Sequence, residues 1–268
     1  MKSVVITGST RGIGYGLADS FLARGCSAVI SGRSDERIEK ASDALKSRYE
    51  AGRILGFPCD VRDPGQLQAL WDEAKSKFGN IDIWINNAGI SGSQMEIWEI
   101  PPAQVRDVVD TNILGTIFGS QVAVRGMLEQ GHGCIYNMEG MGSDGRMHEG
   151  LILYGLTKYG VPYFTKGLVK ETKGTSLIIG SIRPGMVMTE FIIGQFKDRP
   201  EEWERAKKIF NIIASRVEEV TPWIVERILA NEKSGVCISY MSPVKFMQRF
   251  LLSLFKKRTL DDIEPQNQ

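Results

Sequence analysis

The sequence predicts an α/β fold, a doubly wound domain built on a seven-stranded parallel sheet. Strand-like apolar runs alternate with helix-like segments from residue 3 to residue 240, without a linker, repeat or low-complexity block. The first strand-like run leads into a glycine-spaced turn, TGSTRGIG at residues 7–14. The 268 residues are enough for one large domain. These observations together predict a single Rossmann-type domain.

The first half of the chain supplies the first strands of the predicted sheet. The apolar runs that we predict as strands are 3–6, 27–31, 54–58 and 81–85. Helices are predicted between them, over about 13–24, about 35–49 and about 64–78. The last of these begins after Asp63, a good N-cap, because Pro64 suits the first helical position and Gln66 stands three residues after the cap.

The second half continues the same alternation. Helices are predicted near 102–111 and 112–130, and strands at 134–138, 177–182 and 236–240. A further helix carries Tyr154 and Lys158. Ligands of such sheets bind at the carboxyl ends of the strands. The segments that fall at these ends, and so predict the site, are 8–14, 32–33, 60, 86–89, 139–143 and 184–189.

Composition excludes several classes of function. Lys+Arg at 33 against Asp+Glu at 32 give a near-neutral chain, so the charge does not favour a nucleic-acid partner. The four cysteines are scattered and His132 and His148 lack neighbouring ligands, so we expect reduced thiols and no metal. A strand at residue 3 leaves no room for a leader peptide, and no apolar run approaches the ~20 residues of a membrane span. We therefore expect a cytoplasmic protein.

Tyr154 and Lys158 stand four residues apart in YGLTK. On a helix this spacing places both side chains on one face. A phenol titrates near pH ~10, and a neighbouring cation favours its ionised form. We therefore expect Lys158 to lower the pKa of Tyr154, which would let the phenol exchange a proton with a carbonyl or alcohol oxygen.

An ordered set of motifs resembles the short-chain dehydrogenase/reductase family. The motifs are Gly8-x-x-x-Gly12-x-Gly14, Asn86-Asn87-Ala88-Gly89, Asn112 within TNILG, Tyr154-x-x-x-Lys158 and Pro184-Gly185. The resemblance implies a nicotinamide-dependent oxidoreductase with Tyr154 as the proton donor. It also implies that Lys158 bonds the nicotinamide ribose and that Asn112 holds a water that relays protons to Lys158.

The resemblance implies the cofactor contacts as well. An acidic residue after the second strand would bond a ribose 2′-hydroxyl, but here Gly32 is followed by Arg33, and Arg11 stands inside the glycine turn. Two guanidiniums suit a 2′-phosphate, so NADPH is the predicted cofactor. The residues expected to contact it are Gly8, Ser9, Arg11, Gly12, Ile13, Gly14, Arg33, Asp60, Val61, Asn87, Ala88, Gly89, Tyr154, Lys158, Pro184, Gly185, Val187 and Thr189.

The chain departs from the family at the serine that usually polarises the substrate carbonyl. The family places this serine three residues after Asn137, where the chain has Gly140. Ser143 is the nearest hydroxyl, and it is the predicted polariser if the glycines around it reshape the loop. Glu139 is an unusual neighbour for a developing oxyanion and is the alternative, as a group that orients substrate or loop.

The departure itself resembles one subfamily, the chlorophyll(ide) b reductases. The segment NMEGMGS at residues 137–143 resembles the corresponding segment of those enzymes, and so do PGMVMTE at 184–190 and ISYMSP at 238–243. The resemblance implies NADPH-dependent reduction of the C7 formyl group of chlorophyll b to hydroxymethyl. The alternatives are a reductase of another aldehyde or ketone, such as a 3-oxoacyl or steroid-like substrate, and a low-turnover NADPH-binding protein.

Two segments follow the last motifs. Residues 190–216 are predicted as a substrate lid, in which the apolar residues either line a pocket or pack as core. Residues 1–243 are predicted as the reductase domain, and 244–268 as a tail with an amphipathic helix, docked on the protein, on a subunit or on a lipid surface. The resemblance implies a homodimer or homotetramer.

Overall fold

The computed structural model describes residues 1–196 and 200–255 and contains one seven-stranded sheet. Its strands are β1 (Ser3–Ile6), β2 (Ser27–Gly32), β3 (Ile54–Pro58), β4 (Ile83–Asn86), β5 (Gly133–Met138), β6 (Leu177–Arg183) and β7 (Cys237–Ser239). They run in the order β3-β2-β1-β4-β5-β6-β7, and all neighbours are parallel. The predicted fold class is confirmed.

Helices connect the strands and cover the sheet. They are α1 (Gly12–Leu22), α2 (Asp35–Lys46), α3 (Pro64–Phe78), α4 (Pro102–Val109), α5 (Gly115–Gln130), α6 (Ile152–Glu171), α7 (Glu190–Ile193), α8 (Pro200–Ile213), α9 (Val217–Ala230) and α10 (Pro243–Phe255). Asp63 caps α3 as predicted, because its carboxylate accepts from the backbone N–H groups of Gly65 and Gln66.

The sheet is buried on both faces because successive side chains of a strand point to opposite sides. Val4 and Ile6 of β1 pack in one cluster with residues of α1, α2 and α9. Val5 of the same strand packs in a second cluster with residues of α3 and α5. Each fully buried aliphatic side chain contributes about 1.5–3 kcal/mol to this arrangement.

The strand order reverses at β1, which pairs with β2 on one side and with β4 on the other. A crevice forms at the carboxyl ends of the strands at such a reversal. The glycine turn after β1 and residues 87–89 after β4 therefore meet at this crevice. The fold alone positions the two motifs beside each other.

The lid and the C-terminal helix are joined to the domain. Residues 186–188 pair with Ser215, through the bond from Met188 N–H to the Ser215 carbonyl at 2.9 Å. Arg249 of α10 donates to Ser215 Oγ at 2.7 Å and to the carbonyls of Ile213 and Ala214, so α10 is docked at the end of α8. The predicted tail residues 256–268 lie outside the described residues. Among the helices that the structure describes, none is long and apolar enough to cross a membrane.

Candidate active site

The glycine turn after β1 forms a close-packed backbone cradle. Gly8 and Gly12 have φ angles of +63° and +57°, which residues with a Cβ rarely adopt. A Cβ at Gly14 would lie 2.6 Å from both the Gly8 carbonyl oxygen and Asn87 Nδ2. Helix α1 begins at Gly12, so its free N–H groups and positive dipole end face the crevice. This geometry fits a pyrophosphate.

Asn87 and Thr7 hold the cradle against the end of β4. Asn87 Nδ2 donates to the carbonyls of Thr7 at 2.8 Å and Gly8 at 3.0 Å. Thr7 Oγ1 accepts from the backbone N–H groups of Asn87 and Ala88, at 3.0 and 3.1 Å. The Asn87 side chain therefore holds the backbone of the cradle in place through its bonds to the Thr7 and Gly8 carbonyls. Thr7 was not among the predicted site residues, because a threonine at a strand end carries no distinctive sequence signal.

Ser9 does not line the cleft, and its contact with the cofactor stays a prediction. Its hydroxyl donates to the Ile6 carbonyl at 2.7 Å and accepts from Ser31 N–H at 2.9 Å. Its own N–H donates to the Ser31 carbonyl at 2.8 Å. The side chain is buried, and its hydroxyl and N–H join the turn after β1 to Ser31 of β2.

The far end of the cleft is cationic. Arg33 and Arg37 are both exposed and line it, although only Arg33 was predicted. Arg37 lies in the first turn of α2, three residues after the cap Ser34. Burial opposes the ionisation of Asp60, but hydrogen bonds from Arg62 outweigh burial and lower the pKa of that carboxyl. The other predicted contacts that line the same cleft are Ile13, Val61, Gly89, Pro184, Gly185, Val187 and Thr189.

Arg11 lines the cleft but bonds to the lid. Its Nη1 lies 2.5 Å from Glu190 Oε2, at the start of α7. Both side chains are exposed, so the pair contributes at most about 1 kcal/mol. Arg11 can therefore leave Glu190 for a more strongly charged anion at little cost.

Tyr154 and Lys158 lie together on α6, as predicted, but their electrostatics differ from the expectation. Burial raises the pKa of the Tyr154 phenol, whereas Lys158 was expected to lower it. Burial also lowers the pKa of Lys158 to about 8, against the attraction of Glu139. Lys158 Nζ donates to the Met138 carbonyl at 3.1 Å and lies 5.9 Å from the centre of the Tyr154 ring. Desolvation is the cause of the Tyr154 shift, and it favours the neutral, proton-donating form of the phenol.

The lack of a side chain at Gly140 leaves space for the phenol of Tyr154. A Cβ at this position would lie 2.5 Å from Tyr154 Oη and 3.0 Å from Lys158 Cγ. The φ angle of Gly140 is not positive, so the contact and not the backbone conformation excludes a side chain. A side chain at the position where the family usually carries serine would therefore be too close to the phenol oxygen.

Ser143 lies in the turn that follows Gly140 and lines the cleft that contains Tyr154. Its N–H donates to the Gly140 carbonyl at 3.1 Å. Gly142 has a φ of +95°, and a Cβ there would lie 2.7 Å from Gly155 Cα. The turn therefore packs directly on the backbone of α6 beside Tyr154. The predicted glycine-dependent loop path is present, and the polarising role of Ser143 stays a prediction.

Glu139 is held by residues of β6. Its side chain is 2% exposed and is bonded by Arg183 of β6. Ser181 Oγ also donates to Glu139 Oε1, at 2.6 Å. The structure therefore favours an orienting role over direct contact with a developing oxyanion.

Asn112 lies in a π-helical turn, Asp110–Leu114, between α4 and α5. Its Oδ1 accepts from Ile90 N–H at 2.9 Å, and its Nδ2 donates to the Ile90 carbonyl at 2.8 Å and to Thr157 Oγ1 at 3.0 Å. The side chain is fully buried and does not line the cleft. Asn112 thus positions the loop after β4 against α6, and the proton relay stays a prediction.

The cleft has a volume of about 1080 Å³ and extends from Arg33 to the lid. Phe191 of α7 packs on Tyr154, with ring centres 5.9 Å apart. The segment predicted as a lid contributes apolar residues both to a small core and to the cleft. Trp203 is buried against Phe196 and Phe210 as a small core. The lid residues that line the cleft are Phe191, Ile192, Phe196, Ile209, Phe210 and Ile213.

Known proteins resemble this chain over most of its length. Chlorophyll(ide) b reductase NOL, chloroplastic, of Oryza sativa subsp. japonica is 37% identical over 85% of this chain and 66% of its own length. Probable chlorophyll(ide) b reductase NYC1, chloroplastic, of Arabidopsis thaliana is 31% identical over 97% of this chain and 55% of its own. The chain thus spans only about half to two thirds of these relatives.

Other similar proteins have names that indicate other activities. A 3alpha-hydroxysteroid dehydrogenase of Mediterraneibacter gnavus is 31% identical over 71% of this chain and 76% of its own. The solved structure of ElxO with NADP bound has a TM-score of 0.78 and 30% identity, covering 89% of this chain and 96% of that one. The family model described as short chain dehydrogenase matches residues 2–200. The chain is therefore a member of the short-chain dehydrogenase/reductase family.

Proposed function

We propose that the protein reduces a carbonyl group to an alcohol with NADPH, and that its substrate group is the C7 formyl of a chlorophyll(ide) b. The observation that carries the proposal is the position of Tyr154, beside Lys158, in a large cleft that is also lined by apolar residues of segment 190–216. The pigment substrate is supported by the plant relatives named chlorophyll(ide) b reductase. It is also supported by segment 137–143, which resembles the corresponding segment of that subfamily.

The chain's own groups suit this reaction. The glycine cradle would hold the pyrophosphate of NADPH, and Arg33 and Arg11 would hold its 2′-phosphate. The bound cofactor would supply the hydride for the carbonyl carbon. Tyr154 gives its proton to the carbonyl oxygen as the negative charge develops there. Lys158, which is mostly protonated at pH 7 with a pKa of about 8, stabilises the phenolate that remains. The lid keeps water away from this step.

The experiment is steady-state turnover with NADPH on chlorophyllide b, on a 3-oxosteroid and on a 3-oxoacyl thioester. Reduction of the formyl substrate with the highest kcat/KM supports the proposal. The steroid relative favours a second candidate, reduction of a hydroxysteroid-type ketone, and a higher kcat/KM on the 3-oxosteroid would select that candidate. Cofactor binding without turnover on any of the three would leave only an NADPH-binding protein.

NADPH is expected to bind at least tenfold more tightly than NADH, because charge-assisted contacts of Arg33 and Arg11 with a 2′-phosphate contribute about 1.5–3 kcal/mol each. Arg33→Ala should weaken NADPH binding by roughly this factor and leave NADH binding unchanged. Fluorescence titration of both cofactors measures the two dissociation constants. Lys40→Ala, on the exposed side of α2, is the matched control. Equal dissociation constants for the two cofactors in the unmodified protein would reject these roles.

Ser143 is proposed to polarise the carbonyl together with Tyr154. Loss of one such donor costs about 2.7–4 kcal/mol of transition-state stabilisation, so Ser143→Ala should lower kcat by roughly 10²–10³-fold. Cofactor affinity should not change, because Ser143 is not among the residues expected to contact the cofactor. Stopped-flow hydride transfer measures the chemical step directly. If Ser143→Ala reacts at the native rate, a backbone N–H of the loop 140–143 becomes the next candidate.

Two exposed apolar helix faces suit contacts with partners. Helix α6 exposes Ile152, Leu156, Tyr159 and Tyr163 along one face, which suits a homodimer or homotetramer built on this helix. Helix α10 exposes Val244, Phe246, Met247 and Leu251, which suits peripheral contact with a lipid surface. The plant relatives are named as chloroplastic, so the predicted cytoplasmic location of this chain stays untested.

A further inference from the structure

Arg183 is a cation that the proposed reaction does not use. It is the last residue of β6, at the carboxyl edge of the sheet, and its side chain is 38% exposed and lines the cleft. Its Nε and Nη2 lie 2.7 and 2.6 Å from Glu139 Oε2. The buried carboxylate of Glu139 therefore holds the guanidinium from one edge and fixes its direction.

The opposite edge of the guanidinium is available to a ligand. A guanidinium has five N–H donors, and Glu139 engages two of them. Nη1 of Arg183 has no hydrogen bond to any residue within 1–196 and 200–255. Rigid guanidiniums with free paired donors are well suited to carboxylates.

The charges around Arg183 also suit an anion. Asp144 acts electrostatically on Arg183, but its carboxylate lies 3.5 Å from Arg146. Lys158, which also lines the cleft, interacts electrostatically with Glu139. This end of the cleft thus holds three cationic side chains against two anionic ones. The walls beyond them include Met186, Phe191 and Met241, which are apolar.

We propose that Arg183 is a specificity-determining residue that binds a carboxylate on the substrate, away from the carbonyl that is reduced. The proposal rests on the proposed function as a carbonyl reductase with a large apolar substrate. It makes the preferred substrate an amphipathic acid, so a pigment acid is favoured over the corresponding ester. Glu139 is then a positioning residue, which acts through Arg183.

The experiment compares acids with their methyl esters by calorimetric titration of the NADP⁺-loaded protein. The probes are chlorophyllide b and its methyl ester, and a 3-oxo bile acid and its methyl ester. We expect the protein to bind the acid of at least one pair roughly tenfold or more tightly than the ester, as a charge-assisted contact would give. The ratio of the two affinities separates recognition of the carboxylate from any general loss of structure.

The variants isolate the guanidinium. Arg183→Gln alone would leave a buried carboxylate unpaired, so the main variant combines Glu139→Gln with Arg183→Gln. It should bind acid and ester equally and keep the native affinity for the ester. Arg183→Lys should keep part of the preference for the acid, because the positive charge is retained. It should lose the rest, because the paired donors of the guanidinium are lost. Lys173→Gln, at an exposed cation that does not line the cleft, should keep the whole preference.

The outcomes decide both proposals separately. An unmodified protein without acid preference in either pair, or a double variant that keeps the preference, overturns the role of Arg183. Acid preference in the bile-acid pair alone, with no binding of chlorophyllide b, supports Arg183 and rejects the pigment as substrate.

Discussion

Replacing Tyr154 with phenylalanine is expected to reduce turnover by roughly 10²-fold or more, because the ring stays and the proton donor is lost. NADPH affinity should survive, since Phe at this position keeps the packing against Phe191. Single-turnover hydride transfer and a cofactor titration on the same preparation measure both quantities. A Tyr154→Phe variant that reacts at a near-native rate would show that Tyr154 is not the proton donor.

The control for this prediction is on the same helix. Tyr159→Phe removes a phenol oxygen that is five residues away, from a side chain with 59% exposure. It should leave hydride transfer unchanged. Lys158→Ala differs from both, because it removes the cation beside the phenol and the bond to Met138, so it should harm cofactor binding as well as turnover.

Adding a single methyl group at Gly140 is expected to lower turnover by roughly 10²-fold. The new Cβ would lie 2.5 Å from Tyr154 Oη, so the phenol must move, and a displacement near 1 Å can cost this much in rate. The variant Gly140→Ala tests the contact, and kcat with a circular-dichroism melting curve separates misplacement from unfolding. Cofactor affinity should change little.

Gly155→Ala is the matched control, because a Cβ at Gly155 meets no atom within 4 Å. Alanine also favours the helical conformation more than glycine by about 1 kcal/mol, so this variant should be as active and at least as stable as the native protein. Equal activity of Gly140→Ala and Gly155→Ala would show that the phenol does not need the space at position 140.

The fold and the cofactor cradle could be predicted from the sequence because their signals are local. The alternation of apolar runs sets the strands, and the glycine spacing at Gly8, Gly12 and Gly14 follows from positive φ and close approach. Even so, the predicted break between two helices at residues 111 and 112 was wrong. The structure joins them through the π-helical turn around Asn112, which lengthens the turn without ending the helix.

The features that sequence reasoning missed depend on contacts between distant residues. Arg183 and Glu139 are 44 residues apart and meet only because β5 and β6 are neighbours in the sheet. The inward direction of Ser9 depends on hydrogen bonds to β2. The direction of the Tyr154 pKa shift depends on how much water the folded cleft excludes, which spacing on a helix does not show.

The most direct test of the central claim is the transfer of label from NADPH deuterated at C4 to chlorophyllide b, followed by mass spectrometry of the pigment. We expect a hydroxymethyl product with one deuterium at the former formyl carbon, formed in equal amount to NADP⁺, and loss of this product in Tyr154→Phe. Consumption of NADPH without label at that carbon, or equal product from Tyr154→Phe, would contradict it.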